Sequence, residues 1–416
     1  MIQVDSEIST LLKVIVHTPD VGIERITPKR AEELLFDDIV YLPKMQEEHE
    51  TFKKVLEAFA GNDNVYEIKT LLEQSLAINE ALKKEALEKI IGFEELPKSS
   101  LVRLESMHDE KLAEVLISGY DNKADHILFD PIPNFIFTRD IAVVVKDHII
   151  ITKASKEARQ RENILTRFIF AVHPLFESFR GKTINLNDLE AFPPSRRGER
   201  VSIEGGDMMM LNKDYLLIGC SERSTSHAFH SLKEKLFEKN VIKNVVQVNI
   251  PVDRSYMHID TLFTRVDTKD VVCYKPIIFD GLGSNVIVHN HEGQQKIYGS
   301  VKDFFLEEID SEMNFIFSGM GETPYQEREQ WTDGCNLVCV KPGVGISYDR
   351  NVMTAKAFNK AGYDVLSAFD FLEKSKEDAS FANQLTKTII TIPSGELSRA
   401  RGGSHCMTCP IQRAIL

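Results

Sequence analysis

The sequence lacks an excess of positive charge. It carries 63 acidic against 50 basic residues, a formal net charge of −13. A nucleic-acid-binding protein needs a basic face for its phosphate contacts, so we expect no nucleic-acid partner. The negative charge is compatible with a cationic small molecule as the substrate, and equally with a role in solubility alone.

Long apolar segments are also missing. No run approaches the ~18–20 apolar residues that a membrane-spanning helix needs. The first residues, MIQVDSE, have neither the basic start nor the apolar core of a signal peptide. We therefore expect a cytoplasmic protein without a membrane partner. The composition, 43% hydrophobic and 27% charged, is that of an ordinary globular chain.

Cysteine is too scarce for a disulfide framework, with six residues in the chain. Two close pairs, Cys335/Cys339 and Cys406/Cys409, raise the alternative of a zinc site. The residues between Cys335 and Cys339 are typical of the start of a strand, where positions i and i+4 lie roughly 13 Å apart. That distance disfavours a shared ion, and a redox Cys-x-x-Cys motif would open a helix after a strand. We expect no metal and no cofactor.

One part of the chain has helical periodicity and almost no strand signal. Between residues 45 and 119 the apolar residues recur with the period of a helix, in three stretches that end near Gly61, Gly92 and Ser118. We therefore predict an inserted helical domain over 45–119. Residues 1–44 and 120–416 then form the second, α/β domain.

The α/β part contains repeated units. Each unit is a polar residue, a strand, a turn of hairpin composition and a second strand, and third strands fit residues 245–248 and 363–366. The units begin at Asp140, Asp207, Asp260, Asn336 and, after one more step of similar length, Cys406. The strand predicted for residues 11–17 makes the last unit one that is split between the two ends of the chain. Repetition on this scale indicates a linear or radial array. In a radial array, as in the blades of a propeller, the strand starts converge near one axis.

The polar residues at these strand starts form a chemically coherent set. Cys406 is a candidate nucleophile and His258 a candidate acid/base. Glu204, Asp140 and Asp260 are acids at strand starts. A single such acid is more often a cap or turn residue than a catalytic one. Together, however, they would repel one another unless a cation binds between them.

Four motifs in these positions match a known family. They are NFIFTRD at 134–140, EGGD at 204–207, MHIDT at 257–261 and RARGGSHCM at 399–407. In these motifs, and through nearly the whole chain, the sequence resembles the arginine deiminase family of guanidino-group-modifying enzymes. The resemblance implies a five-bladed pseudo-symmetric α/β propeller of the pentein type with an inserted helical domain. It also implies hydrolysis of free L-arginine to L-citrulline and ammonia, in arginine catabolism, by a homo-oligomer.

The resemblance assigns roles to the matching positions. Cys406 is the expected nucleophile, which would form a covalent amidino-thioester. His258 would be the acid/base, with Glu204 as its partner, and Asp140 and Asp260 would grip the guanidinium. The residues expected to bind the rest of the substrate, including its α-carboxylate, are Asn134, Phe137, Arg159, Arg223 and Arg401.

The sequence leaves three points open. The segment 279–319 is less familiar than the rest, which could affect subunit contacts or loop closure. A deiminase for a guanidine without a carboxylate, such as agmatine, is disfavoured because three buried arginines without an anionic partner would be costly. A non-catalytic binding protein that has kept the scaffold is disfavoured by the complete set of Cys, His, Glu and Asp.

Overall fold

The computed structural model of the chain describes residues 2–122 and 126–416. The strands of this part are β1 Leu11–Val16, β2 Val65–Glu67, β3 Tyr120–Asp121, β4 His126–Ile127, β5 Ala142–Val145, β6 His148–Ile151, β7 Thr183–Asn185, β8 Met208–Asn212, β9 Tyr215–Cys220, β10 Asn244–Asn249, β11 Phe263–Arg265, β12 Asp270–Cys273, β13 Asn285–Asn290, β14 Gln295–Tyr298, β15 Asn314–Phe317, β16 Val338–Lys341, β17 Val344–Tyr348, β18 Asp364–Ser367, β19 Thr388–Ile392 and β20 Cys409–Arg413. The α-helices are α1 Leu42–Ala60, α2 Ile68–Leu76, α3 Glu80–Phe93, α4 Ser99–Glu105, α5 Asp109–Ser118, α6 Gln160–Val172, α7 Ser226–Glu238, α8 Val301–Phe304, α9 Tyr325–Trp331, α10 Val352–Lys360, α11 Ala368–Glu377 and α12 Phe381–Gln384. None of the helices in these two ranges is long and apolar enough to cross a membrane.

Five sheets share one pairing pattern. In each, the first strand is antiparallel to the second and the second is parallel to the third. We number them as blades one to five: β5-β6-β7, β8-β9-β10, β11-β12-β15, β16-β17-β19 and β20-β1-β2. The predicted five-bladed pseudo-symmetric α/β propeller is thereby confirmed.

Blade five joins the two ends of the chain, as predicted. Ile15 of β1 lies opposite Cys409 of β20, and Val14 lies opposite Val65 of β2 in parallel register. The expectation that 45–119 lacks strands is wrong for β2. This strand is only three residues long, and a segment of that length carries too little alternation to be recognised from sequence.

Helix α1 packs with blade five. Its side chains Met45, Phe52 and Val55 are buried in the same apolar cluster as Val14 of β1. Helices α2 to α5 instead share a cluster with α6 of blade one. The division at 44/45 and 119/120 stays a prediction, but within 45–119 the contacts set α1 and β2 apart from the helices that follow.

One long predicted helical stretch is two helices. Helix α2 ends at Leu76, and α3 begins after Asn79, whose side chain accepts a hydrogen bond from Leu82 N at 3.0 Å. An asparagine cap satisfies a free amide at the start of a helix, which favours a new helix at this point over continuation of the first.

Two blades carry an addition that the repeat pattern does not contain. The unfamiliar segment 279–319 supplies the hairpin β13–β14, which extends blade two beyond β10, and then β15 of blade three. In blade four, β19 lies between β17 and β18, so the predicted third strand β18 is at the edge. Ile389 and Ile390 of β19 are almost fully buried, whereas Asp364 of β18 is exposed, and these burials match a central and an edge strand.

Candidate active site

The turns before the first strands of the five blades meet, as the repeat predicts. Short 3₁₀ turns at Thr138–Asp140, Gly205–Asp207 and Ile259–Thr261 precede β5, β8 and β11. Asn336 and Cys406 hold the corresponding places before β16 and β20. A hydrogen bond connects each turn to the next, and the fifth returns to the first: Gly206 N to Asp140 Oδ1 (3.1 Å), Ile259 N to Asp207 Oδ1 (2.8 Å), Asn336 Nδ2 to Asp260 O (3.2 Å), Cys406 N to Asn336 Oδ1 (3.1 Å) and Arg139 N to Cys406 O (3.0 Å).

The Cys406 thiol is buried at the centre of these turns. Asn336 Nδ2 donates a hydrogen bond to its Sγ at 3.1 Å, and Asp260 Oδ2 lies 3.6 Å from the same atom. Burial, Asp260 and Asp140 raise the pKa of this thiol well above its usual value, against a smaller opposite effect of Asn336. Without a nearby cation, Cys406 is therefore a neutral thiol.

His258 and Glu204 form a buried pair. His258 Nε2 lies 2.8 Å from Glu204 Oε2, and its Nδ1 lies 3.9 Å from Asp140 Oδ1. Burial alone would lower the pKa of His258, but Asp140, the bond to Glu204 and Asp207 outweigh it and raise the pKa to about 10. Burial likewise opposes ionisation of Glu204, but His258 and the nearby arginines hold the pKa of this carboxyl well below its usual value. The imidazole is therefore protonated at neutral pH.

The backbone leaves room for His258 only because position 206 is glycine. A Cβ at Gly206 would lie 2.6 Å from His258 Nδ1, closer than real Cβ contacts allow. The glycine in the EGGD motif thus permits the imidazole to lie directly against the backbone of blade two.

Asp260 is held from behind by a chain of buried charged groups. Its Oδ2 lies 2.8 Å from His405 Nδ1, and His405 Nε2 lies 3.5 Å from Glu7 Oε2. Glu7 in turn accepts a hydrogen bond from Arg139 at 3.1 Å. The other oxygen of Asp260, Oδ1, is buried and has no hydrogen-bond partner among the described residues. An unpaired buried carboxylate oxygen is costly, so this atom marks a position for a donor such as a bound cation.

Arg159 lies among carboxylates. Its guanidinium donates to Asp140 Oδ2 at 2.6 Å and to Glu162 Oε2 at 2.9 Å, and lies 3.6 Å from Glu204 Oε2. Ligand atoms of Asp140, Glu204 and His258 lie within 4.8 Å of one another, close enough to share a metal ion. The positive charge that these carboxylates require is already supplied by Arg159.

All ten predicted site residues surround one small cavity or lie beside it. Leu35, Asp37, Arg254, Met257, Thr261 and Ala400 also line it, together with the predicted Asn134, Phe137, Asp140, Arg159, Glu204, Arg223, His258, Arg401 and Cys406. The tenth, Asp260, lies behind Cys406. The cavity measures about 30 Å³, room for one or two water molecules. An amino acid the size of arginine enters only if lining segments move.

Charged groups of both signs border the cavity. Asp140 and Glu204 line it, as do Arg223 and Arg401, and Asp260 lies beside Cys406. The Arg223 guanidinium lies 3.9 Å from Glu204 Oε2. Arg223 Nε and one terminal nitrogen of Arg401 are buried without a hydrogen-bond partner among the described residues. A molecule with a cation at one end and a carboxylate at the other would satisfy both sets of groups.

Asn134 and Phe137 complete the wall from blade one. The Asn134 side chain donates to Leu34 O at 2.7 Å, which attaches the segment around Leu35 to this wall. Phe137 is buried against Gly402, where a Cβ would lie 2.3 Å from the phenyl ring. The ring therefore fixes the path of the loop that leads to Cys406.

Sequence reasoning gave no role to several residues that touch the predicted ones. Asn336 had been noted only as the start of a repeat, although it holds Cys406 by two hydrogen bonds. His405 could have been noticed because it is adjacent to Cys406, whereas nothing near Glu7 in the sequence points to the site. Trp331 could have been noticed because it is the only tryptophan in the sequence.

Comparison with known sequences gives matches along the entire chain. A model of the arginine deiminase family matches residues 32–413. The chain is 33% identical to an arginine deiminase of Listeria monocytogenes, in an alignment that covers 100% of this chain and 98% of the relative. It is 31% identical to an arginine deiminase of Pediococcus pentosaceus, with 99% and 98% covered.

Solved structures with a similar fold are much more distant in sequence. SxtG, an amidinotransferase from Microseira wollei, superposes with a TM-score of 0.55 at 12% identity, over 99% of this chain and 97% of its own. Unliganded AgrE gives a TM-score of 0.53 at 13% identity, where 98% of this chain matches 40% of the other. At these identities the likeness concerns the fold alone.

Proposed function

The chain belongs to the arginine deiminase family, and on that premise we propose that it hydrolyses free L-arginine to L-citrulline and ammonia. The observation that carries the proposal is a cavity bordered by a buried thiol, by three carboxylates and by arginine nitrogens that have no hydrogen-bond partner among the described residues. A guanidinium is cationic at physiological pH and pairs with carboxylates in fixed geometry. The α-carboxylate of the same molecule would accept hydrogen bonds from the arginine nitrogens.

The substrate would be oriented by groups that lack partners. Asp260 Oδ1 is free to accept from the guanidinium, and Asp140 faces the same space. Arg223 and Arg401 are the stronger candidates for the α-carboxylate, because the guanidinium of Arg159 is occupied by Asp140 and Glu162. Such positioning can supply several kcal/mol of the reduction in the activation barrier.

The first chemical step would be attack by sulfur on the guanidinium carbon. The incoming cation offsets Asp260 and Asp140, the charges that raise the pKa of Cys406, so the thiol gives its proton to solvent and becomes the thiolate. A carbon–sulfur bond forms, and His258, protonated at neutral pH, gives its proton to the departing nitrogen so that ammonia leaves. The product of this step is the covalent amidino-thioester on Cys406.

The second step would be hydrolysis of that intermediate. After ammonia has left, His258 is neutral and can take a proton from a water molecule that attacks the same carbon. The carbon–sulfur bond then breaks, the proton of the added hydroxyl passes to the departing sulfur, and citrulline is released with the Cys406 thiol restored. Glu204 stabilises the imidazolium in each half of the cycle, because its carboxylate lies 2.8 Å from His258.

The proposal is tested with a citrulline assay on the purified chain. We expect citrulline and ammonia in equal amounts from L-arginine, no turnover by Cys406→Ser, and a mass increase on Cys406 when the intermediate is trapped by acid. Substantial turnover by Cys406→Ser would remove this residue as the nucleophile. Equal rates on arginine and agmatine would contradict carboxylate binding by the arginines.

The remaining parts of the proposal concern the surroundings of the enzyme. We infer a cytoplasmic location, a role in arginine catabolism and a homo-oligomeric state. Light scattering after gel filtration measures the last of these, for which a mass of 47.2 kDa, that of one chain, would be the contrary result.

A further inference from the structure

We propose that Trp331 is a positioning residue for Arg401 and thereby sets the preference for a guanidine that carries a carboxylate. The inference rests on the proposed function, since it identifies the side chain that holds one of the arginines proposed to bind the α-carboxylate. Trp331 is the last residue of α9 and the only tryptophan in the chain.

The two side chains are in direct contact. The central guanidinium carbon of Arg401 lies 3.2 Å from the centroid of the Trp331 ring. An aromatic face attracts a cation through its quadrupole and needs no hydrogen bond to do so. The ring thus supports the charge of Arg401 while leaving its N–H groups unused.

Few other groups hold this guanidinium. Asp37 Oδ2 lies 3.6 Å from a terminal nitrogen of Arg401, too long for a hydrogen bond, and that nitrogen is buried without a partner. Burial lowers the pKa of Arg401, and Asp333 and Asp37 only partly offset this effect. A buried guanidinium with unpaired N–H groups is stabilised when a ligand carboxylate accepts hydrogen bonds from them.

The backbone around Arg401 is fixed, so the ring acts on the side chain. Arg401 has a φ of 61°, in the left-handed region. The Tyr348 hydroxyl donates to Gly402 O at 2.6 Å, and a Cβ at Gly402 would lie 2.3 Å from the Phe137 ring. The Trp331 ring therefore helps to define where the long Arg401 side chain places its guanidinium.

The end of α9 is anchored by the two residues before Trp331, whose own side chain is 41% exposed. Gln330 donates to Ser255 O at 2.8 Å and to Thr261 O at 3.3 Å, which attaches the end of α9 to the segment that carries His258. Glu329 accepts hydrogen bonds from Met353 N and Thr354 N at the start of α10. The ring thus stands on an anchored helix end and contacts the Arg401 guanidinium.

The first experiment compares Trp331→Leu and Trp331→Phe with the unchanged chain on arginine and agmatine. A cation–π contact of this kind corresponds to an increase in KM for arginine of about 2- to 30-fold in Trp331→Leu. We expect kcat to change less than KM, the arginine-to-agmatine ratio of kcat/KM to fall by the same factor, and Trp331→Phe to recover part of the loss.

The matched control is Tyr325→Leu, at the other end of α9, which is 45% exposed. We expect its kinetics to equal those of the unchanged chain. Citrulline formation with unaltered KM and an unaltered arginine-to-agmatine ratio in Trp331→Leu would overturn the inference while leaving the proposed function intact. No citrulline from the unchanged chain would instead refute the proposed function.

The second experiment needs no change at Trp331. Because the chain has one tryptophan, its emission reports the surroundings of Trp331 alone, which include the Arg401 guanidinium. In Cys406→Ala, which binds without turnover, we expect L-arginine to change this emission saturably and agmatine to change it much less. In the double variant with Arg401→Met, the emission should respond equally to the two ligands. An equal response to both ligands in Cys406→Ala alone would overturn the inference.

Discussion

Among single residues, the buried acids of the site have different partners, and these partners decide their chemistry. Glu204 is bonded to His258, and Asp140 to Arg159. Asp260 is bonded through one oxygen to His405 and keeps the other free. Asp260 Oδ1, which has no hydrogen-bond partner among the described residues, is thus the atom whose hydrogen bonding an arriving cation would complete.

The first prediction concerns the charge of Glu204. Replacing it in Glu204→Gln removes one of the charges that hold the pKa of His258 at about 10 against the opposing effect of burial. The imidazolium then loses its proton at a lower pH, so the basic limb of the kcat profile should move to lower pH, and kcat should fall by ~10²–10⁴. Profiles of kcat against pH measure both effects, with the exposed Glu177→Gln as the control; an unmoved basic limb would contradict the assignment of His258 as the acid.

The second prediction concerns Gly403. A Cβ here would lie 2.4 Å from the backbone oxygen of Asn336, the residue that holds Cys406 by two hydrogen bonds. Gly403→Val should therefore displace the thiol and lower kcat on the order of 10²-fold, as a shift of about 1 Å can. Gly92→Ala, in α3 with open space around its Cβ, should leave kcat unchanged. Normal kcat in Gly403→Val would show that Asn336 does not position Cys406.

At the scale of secondary-structure elements, the connection between β1 and β2 depends on a protonated histidine. His17, directly after β1, lies 2.8 Å from Glu67 of β2 and 2.9 Å from Asp20. Burial alone would lower the pKa of His17, but hydrogen bonds to Asp20 and Glu67 raise it from 6.5 to about 9. The histidine therefore binds its proton more tightly in the folded chain than in the unfolded one.

The third prediction follows from that difference. The stabilisation by His17 is fully present below pH 6.5 and is lost as the pH rises through about 9. It corresponds to about 3 kcal/mol of the free energy of unfolding. His17→Gln should lower stability at pH 6 and flatten its decline between pH 6.5 and 9, measured by urea unfolding at several pH values. The exposed His108→Gln serves as control, and an unchanged slope in His17→Gln would refute the mechanism.

Elements were predictable from sequence where they are long or repeated. The strand pairs after Asp140, Asp207 and Asp260 have apolar runs around polar turns, and the structure confirms them. Strand β2 was missed because three residues carry no period, and its place is set by pairing with β1. Strand β19 was missed because the repeat already provided β18 as a third strand, whereas burial selects the more apolar β19 for the central place.

The residues that border the candidate site could be named from the sequence, but their contacts with one another could not. The types and order of Cys406, His258 and the acids match a family, so they could be named from local motifs. The contact of Glu7 with Arg139 spans 132 positions, and such a pairing leaves no local pattern. Likewise, that Arg159 faces Asp140 depends on how α6 packs, which no single motif encodes.

For the whole molecule, the fourth prediction concerns the strand that connects the chain ends. A chain that stops at Thr408 retains Cys406 but lacks β20, whose Cys409 and Ile411 are almost fully buried. Blade five then loses the partner of β1, so we expect loss of citrulline formation and of cooperative thermal unfolding. Removal of Ile415 and Leu416 alone, which are 74% and 64% exposed, should be tolerated. Activity in the shorter chain would contradict the dependence of the site on blade five.

The division of blade five also imposes an order on biosynthesis. Strand β1 leaves the ribosome before the other strands of the five blades, and its partner β20 leaves after all of them. Until β20 has been made, one edge of this apolar strand is unpaired, which favours association with other chains or with a chaperone. The nucleophile emerges just ahead of β20, after all the acids of blades one to three. A nascent chain therefore lacks Cys406 until β1 to β19 have been made.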